Sequence, residues 1–466
     1  MHTKKTPLDH AAPGSPSKAT QTHRGHQESS RGKPEQVDVV VVGAGLAGLC
    51  AAVTAAQKGL SVVVLERSKT PGGYARSTLQ GGAVVNWGPR ALYKDGWGHR
   101  TLQSLGVEVA GARPGGDGLH AMLEGKLVPL PSSLGTLLRA DFLTWRQRAR
   151  LSGLMLTMMR QPDEALAHQT WGQWLDGQDL GPALRGLIEM FGRLTTYSNI
   201  PQLVSAHAVL SQIQHAFRHG VLYLDGGWQS IVEALCERLA VASGRLETSA
   251  RVVRCERVAD GRWSVETADG LSFDAGQVVL AVTPKAAAQI VPQLPVVQEW
   301  ADGAVAVRAQ CLDVVLESLP RPDVLSVQGL DEPIYFSVHS ETARLAPKGQ
   351  AVIHVARYLG DETGVGKGPL SLEAMMDRLQ PGWRRVLVWK RSLPSMAVSP
   401  CAVLASKGGV FGRPGPAVPG QQGLFVAGDW VGQRGQLACA ALASGAQAGQ
   451  MVAESMVSSD APRAWG

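Results

Sequence analysis

Residues 37–42 form an apolar, largely β-branched run with Asp38 as its one polar side chain, and Gly43-Ala44-Gly45-Leu46-Ala47-Gly48 follows without a break. An alanine-rich stretch, 49–58, ends at Gly59, and a second apolar run, 61–65, closes on Glu66. Short β-branched runs bounded by turn signals read as buried strands, with the alanine-rich stretch between them as a helix. Strand, glycine turn, helix, strand and acid in this order predict a βαβ unit with a dinucleotide at the helix N-terminus. Gly43 permits the tight turn, Gly45 lets the backbone approach a pyrophosphate, and Gly48 lets the helix pack close to the strand. The N–H groups around Ala44, Leu46 and Ala47 then face the phosphates. Glu66 is placed to accept hydrogen bonds from a ribose diol.

Composition removes several alternatives. A chain of 466 residues accommodates two intertwined domains. Lys and Arg number 45 against 39 Asp and Glu, without a dense basic block, so no nucleic-acid partner is expected. Cys50, Cys236, Cys255, Cys311, Cys401 and Cys439 are scattered and form no CxxC pair. Neither a metal site nor a disulfide framework is expected, and reduced thiols fit a cytoplasmic location. No run of about 18 apolar residues marks a transmembrane helix. The first 36 residues are rich in Lys, His, Ser, Thr, Pro and Gly and read as a disordered tail.

The segment after Glu66, Arg67-Ser68-Lys69-Thr70-Pro71-Gly72-Gly73-Tyr74-Ala75-Arg76-Ser77, resembles the second glycine motif of the flavin-containing amine oxidase superfamily. That group includes amine oxidases, phytoene- and squalene-type desaturases and protoporphyrinogen oxidases. Glu66, Arg67, Gly72, Gly73 and Ser77 match the pattern. Many members carry Arg directly after the glycine pair, where this chain has Tyr74, with Ala75 and Arg76 following. Asn86-Trp87-Gly88-Pro89-Arg90 is similar to a Gly-Pro turn that these proteins place near the isoalloxazine. Asp225-Gly226-Gly227-Trp228-Gln229-Ser230 opens a helix, and in the family a strand such as 251–256 meets the adenine through backbone groups, here at Val253. Residues 423–430 resemble the C-terminal flavin motif, a strand ending in Gly428-Asp429 before a small-residue helix, 438–451. The resemblance implies that the Leu437 and Ala438 amides approach the flavin, where the helix dipole favours negative charge on the reduced ring.

The resemblance therefore implies an α/β fold. A discontinuous Rossmann-type FAD-binding domain (37–110, 223–285 and 415–456) would carry an inserted α+β substrate domain (111–222 and 286–414). The FAD is expected to be non-covalent, since the surroundings of Cys401 do not resemble an attachment motif. No second GxGxxG follows a strand, so no separate nicotinamide domain is expected.

The first middle stretch reads as helical, with periods at 182–197 and 202–217. Within it, 140–160 mixes apolar residues with Arg146, Arg148, Arg150 and Arg160, which fits either a solvated helix face or peripheral contact with a membrane. The second stretch alternates like sheet at 303–315 and 352–358 and would roof the substrate cavity. His207, His215, His219, His339 and His354 are unpaired in sequence, so no side chain is assigned as catalytic and the flavin is expected to carry the chemistry. The expected reaction is hydride removal from a hydrophobic, isoprenoid- or tetrapyrrole-like substrate, with oxygen or a quinone as electron acceptor. An amine oxidase giving an imine and hydrogen peroxide is the alternative, although 303–317 offers Arg308 and no lysine. A non-catalytic lipid carrier is the third reading, and the intact Gly43, Gly45, Gly48 and Glu66 oppose it.

Overall fold

Two β-sheets organise the molecule, and they differ in how they are built. The computed structural model describes residues 33–115, 118–130, 140–360 and 370–459. The expected N-terminal tail lies almost wholly outside them, and its last two residues belong to the first strand, Glu35–Val42.

The first sheet runs Arg245–Thr248, Val62–Glu66, Glu35–Val42, Ser272–Leu280, Trp263–Thr267 and Val252–Arg257, with Leu424–Val426 beside Ser272–Leu280. Its first four strands are parallel, as is the Leu424–Val426 pairing. Val39, Val40 and Val41 are fully buried, because a central parallel strand is covered on both faces. Val39 and Val41 face the helices Leu46–Ala56 and Leu437–Ser459. Val40 and Val42 face the other way, onto Pro284–Ile290 and Pro295–Asp302. The core of this sheet thus continues to Ala301.

Glycine sets how closely these layers approach. A Cβ on Gly48 would stand 1.8 Å from the Gly43 carbonyl oxygen. On the outer side of the first helix, a Cβ on Gly445 would stand 2.1 Å from the Ala47 oxygen and one on Gly449 2.4 Å from the Ala51 oxygen. The small residues of the C-terminal helix are therefore a packing requirement, and the contact sets the first turn of one helix beside the third turn of the other.

The second sheet runs Leu387–Ser399, Val307–Leu316, Ala351–Tyr358, Ile334–Val338, Ser326–Gly329, Leu119–Leu123 and Lys126–Pro129. It is antiparallel except where Ser326–Gly329 meets Leu119–Leu123. Its outer face packs Leu312, Val314, Phe336 and Val355 against the helix Leu372–Leu379 and Trp383. Its inner face carries Ala309, Cys311, Tyr335 and Tyr358. The first middle stretch is thus not wholly helical, because two of its strands extend this sheet. The rest of it gives the helices Trp145–Met158, Trp171–Asp176, Pro182–Thr196 and Ala206–His219, which share a core. The expected helix 140–160 begins only at Trp145, where Thr144 and Gln147 form a capping box that stops it from extending backwards. Among the described residues no helix is long and apolar enough to cross a membrane.

Candidate functional site

A cavity of about 700 Å³ opens where the first strand, the first helix and the C-terminal helix converge. It collects Gly43, Gly45, Leu46, Ala47, Glu66 and Arg67 from the βαβ unit and Gly72, Gly73, Tyr74, Ala75 and Arg76 from the second glycine turn. Arg90, Val253, Gly428, Asp429, Leu437 and Ala438 complete it from distant parts of the chain. Four residues singled out from the sequence stand behind this wall: Ala44, Gly48, Gly88 and Pro89. Ala44 is fully buried and holds both neighbouring motifs, its N–H donating to Glu66 Oε2 at 2.9 Å and its carbonyl accepting from Gly72 N–H at 2.8 Å. Gly88 has φ +72°, and a Cβ there would lie 2.8 Å from Met396 Cε and 3.1 Å from Cys311 Sγ. The Pro89 carbonyl accepts from Tyr197 OH at 3.1 Å.

The wall presents donors more than acceptors. The first helix is capped by Gly45, which offers no side chain to its opening N–H groups, so these remain available to a ligand. A Cβ on Gly45 would meet nothing within 4 Å, so any side chain there would occupy the cavity itself. The C-terminal helix begins at Leu437, held at φ +52°, a conformation that L side chains rarely adopt and that surrounding contacts must impose. The Trp87 and Trp228 ring N–H groups and Arg90 Nη2 are buried on the cavity wall without protein partners. Such groups cost free energy unless a ligand or water satisfies them.

Two carboxylates offset these donors. Glu66 accepts from Ala44 N–H and, at 2.8 Å, from Ser68 N–H, which leaves further lone pairs on each oxygen. Asp429 accepts from Ser399 Oγ at 2.7 Å, and burial pushes its pKa up to about 6 despite Arg413 nearby. Burial lowers Arg413 to about 10, and its guanidinium donates to the Gly435 carbonyl at 2.9 Å.

Several wall residues carry no local sequence signal. Tyr93, Tyr197, Met396, Ala397 and Val398 line the cavity, and so do Ala281, Val282 and Thr283. Tyr197 ends the helix Pro182–Thr196 at φ +60°, and a non-glycine residue placed there marks strain beside a site. Behind Trp87 and Gly88, Asp313 is fully buried between His354 Nδ1 at 2.7 Å and the Arg391 guanidinium at 2.6 and 3.0 Å. The expected unpaired His354 is thus an Asp313 partner. Arg308, by contrast, is exposed, and its guanidinium donates to Ser395 Oγ at 3.3 Å.

Residues 46–308, more than half of the chain, match the family described as flavin containing amine oxidoreductase. The chain belongs to that family. Hydroxyneurosporene desaturase of Cereibacter sphaeroides is 30% identical over 290 residues, 53% of this chain and 56% of that protein. A probable flavin-containing monoamine oxidase A of Dictyostelium discoideum is 26% identical over 274 residues, 54% of this chain and 59% of that protein. The chain therefore spans little more than half the length of these relatives. Among solved structures, an oxidoreductase from Methanosarcina mazei superposes with a TM-score of 0.70 at 18% identity, covering 89% of this chain and all of that one. At that identity the likeness concerns the fold alone.

Proposed function

We propose that the protein is an FAD-dependent oxidoreductase that removes a hydride from a carbon of a hydrophobic substrate, with the FAD held non-covalently. The observation that carries the reading is the convergence of five segments, spread from Gly43 to Ala438, on one donor-rich cavity. Bound there, the flavin supplies the hydride acceptor, which oxygen or a quinone would reoxidise.

In this reading the open N–H groups at Gly45 and Leu46 bind the pyrophosphate, with Gly43 and Gly48 shaping the turn. Glu66 orients the adenosine ribose, and the Val253 backbone meets the adenine. Arg67, Gly72, Gly73, Tyr74, Ala75 and Arg76 enclose the middle of the cofactor. Trp87, Arg90 and Trp228 supply N–H groups to its polar edge, and the Gly88-Pro89 turn supports them from behind. Asp429 with the Leu437 and Ala438 amides faces the far end, where the helix dipole favours negative charge.

The hydrophobic substrate is supported by the apolar wall that the middle stretches bring to the cavity, with Tyr197, Met396 and Val398, and by the desaturase among the relatives. The exposed side of the helix Trp145–Met158 presents Trp145 and Leu156 beside Arg146 and Arg150, a pattern suited to an anionic membrane surface in which such a substrate dissolves. Sedimentation with anionic liposomes that salt abolishes is the expected result, and no sedimentation at low salt contradicts the membrane part. For the reaction, the protein is mixed anaerobically with carotenoid precursors, porphyrinogens and amines in turn. Flavin bleaching by an isoprenoid or tetrapyrrole is expected. Bleaching by a small amine alone would replace this reading with amine oxidation.

A further inference from the structure

The turn that carries Trp87 and Arg90 to the cavity belongs to neither sheet, yet the second sheet grips it through one buried charge cluster. Asp313 Oδ2 accepts both N–H groups of Arg391 and, at 3.4 Å, the Gly88 N–H. Asp313 Oδ1 accepts from His354 Nδ1. Arg391 also donates to the Asn86 carbonyl at 2.7 Å and lies over the Trp87 ring, 4.6 Å from its centroid. A second guanidinium, that of Arg76, stands 4.8 Å from the same ring. From the other side of the turn, Asn86 Oδ1 accepts from Ser77 Oγ at 2.7 Å and from Trp228 N–H at 3.0 Å.

Such a cluster is an unusual way to gain stability. Asp313 is fully buried and the Arg391 side chain is 15% exposed. Removing two ions from water costs several kcal/mol each, so a well-packed apolar pair would serve the core as well or better. What the ion pair does provide is direction: a fixed fork geometry that clamps the backbone on both sides of Trp87. It also places a balanced pair of charges immediately behind a cavity wall, in a dry region where little solvent screens them.

We infer that Asp313 and Arg391 are positioning residues for the flavin: they fix the Trp87–Arg90 turn against the ring and balance each other's charge behind it. The inference rests on the flavin reading of the cavity. It requires opposite consequences from the two halves of the pair. Asp313→Asn leaves Arg391 uncompensated, which stabilises a negatively charged reduced flavin and raises the reduction potential. Arg391→Gln leaves Asp313 uncompensated and lowers it. A scaffold role alone has no reason to give opposite signs. Arg391→Lys retains the charge but loses the fork and the Asn86 anchor. It should keep the potential near that of the parent while changing the visible circular dichroism of the bound flavin.

The test measures the reduction potential and visible circular dichroism of the holoenzyme and these three variants. Opposite shifts in potential, with a dichroism change alone in Arg391→Lys, are expected. Unchanged potentials, or shifts of the same sign, overturn the inference. Should Asp313→Asn fail to fold, the two Arg391 variants decide: a parent-like potential in Arg391→Gln, or parent-like dichroism in Arg391→Lys, rejects it. A parent protein that binds no flavin at all fails at the earlier step and takes down the reading of the cavity itself.

Discussion

The two sheets reach the same cavity by different means. The first contributes mainly backbone, with open helix amides at Gly45 and Leu46, glycine turns at Gly43 and Gly72 and the exposed edge at Val253, and adds the Glu66 and Asp429 carboxylates. The second contributes side chains, with Met396 on the wall and Asp313, His354 and Arg391 behind the Trp87 turn. A site made of backbone tolerates changes in the side chains around it but not a change in the path of the chain. A site made of buried charges reverses that sensitivity.

The sharpest break between the regions should come from Asp313→Ala. It leaves Arg391 buried without its counter-ion and His354 without its acceptor, and should cost about 3–5 kcal/mol in denaturant unfolding. A loss below about 1 kcal/mol would mean that the pair is already solvated. Next in size is Gly445→Leu, whose side chain must enter the space held by the Ala47 carbonyl. It should cost about 1–3 kcal/mol and loosen cofactor binding as well, because the start of the first helix, whose N–H groups open onto the cavity, is pushed out of place. Unaltered melting would show that the helices yield easily.

Glu66→Ala should weaken FAD binding by roughly 1.5–3 kcal/mol in equilibrium dialysis, the scale of a hydrogen bond to a charged group. Unchanged affinity would place the ribose elsewhere. Asp429 offers a test by pH. Its folded pKa, about 6, stands above the usual aspartate value of 3.8, so the folded state holds a proton that the unfolded chain has released. The cofactor-free protein should therefore gain stability as pH falls from about 7 toward 4, by up to about 2 kcal/mol from this group. Asp429→Asn should remove that gain, and an identical pH profile in the variant would show that the carboxylate is not held as the structure has it. The smallest effect belongs to Val253→Ala, because the proposed adenine contact is through backbone. A change in FAD affinity within about 0.5 kcal/mol is expected, and a larger loss would show that the side chain takes part.

The same contrast explains what could be read from the sequence. Backbone-built features need glycine at fixed spacing, so Gly43, Gly45, Gly48, Gly72 and Gly73 announce themselves locally. The strands they bound were legible to within a few residues, since a buried parallel strand is an unbroken apolar run. Asp313, His354 and Arg391 come from three strands that meet only through pairing, so no window of sequence contains the cluster. His354 looked solitary for that reason. Tyr197 was hidden differently: the helical period runs up to it, and neither its left-handed backbone nor its place on the cavity wall has a local sequence signal. The strands Leu119–Leu123 and Lys126–Pro129 were lost inside a stretch read as helical, because each is too short for its alternation to register against the long helical periods that follow.

The most direct test of the account is the spectrum of the purified protein. The absorption bands of an oxidised flavin are expected, with one FAD per chain released intact by heat denaturation. A correctly folded, colourless protein that neither retains nor takes up added FAD would contradict it.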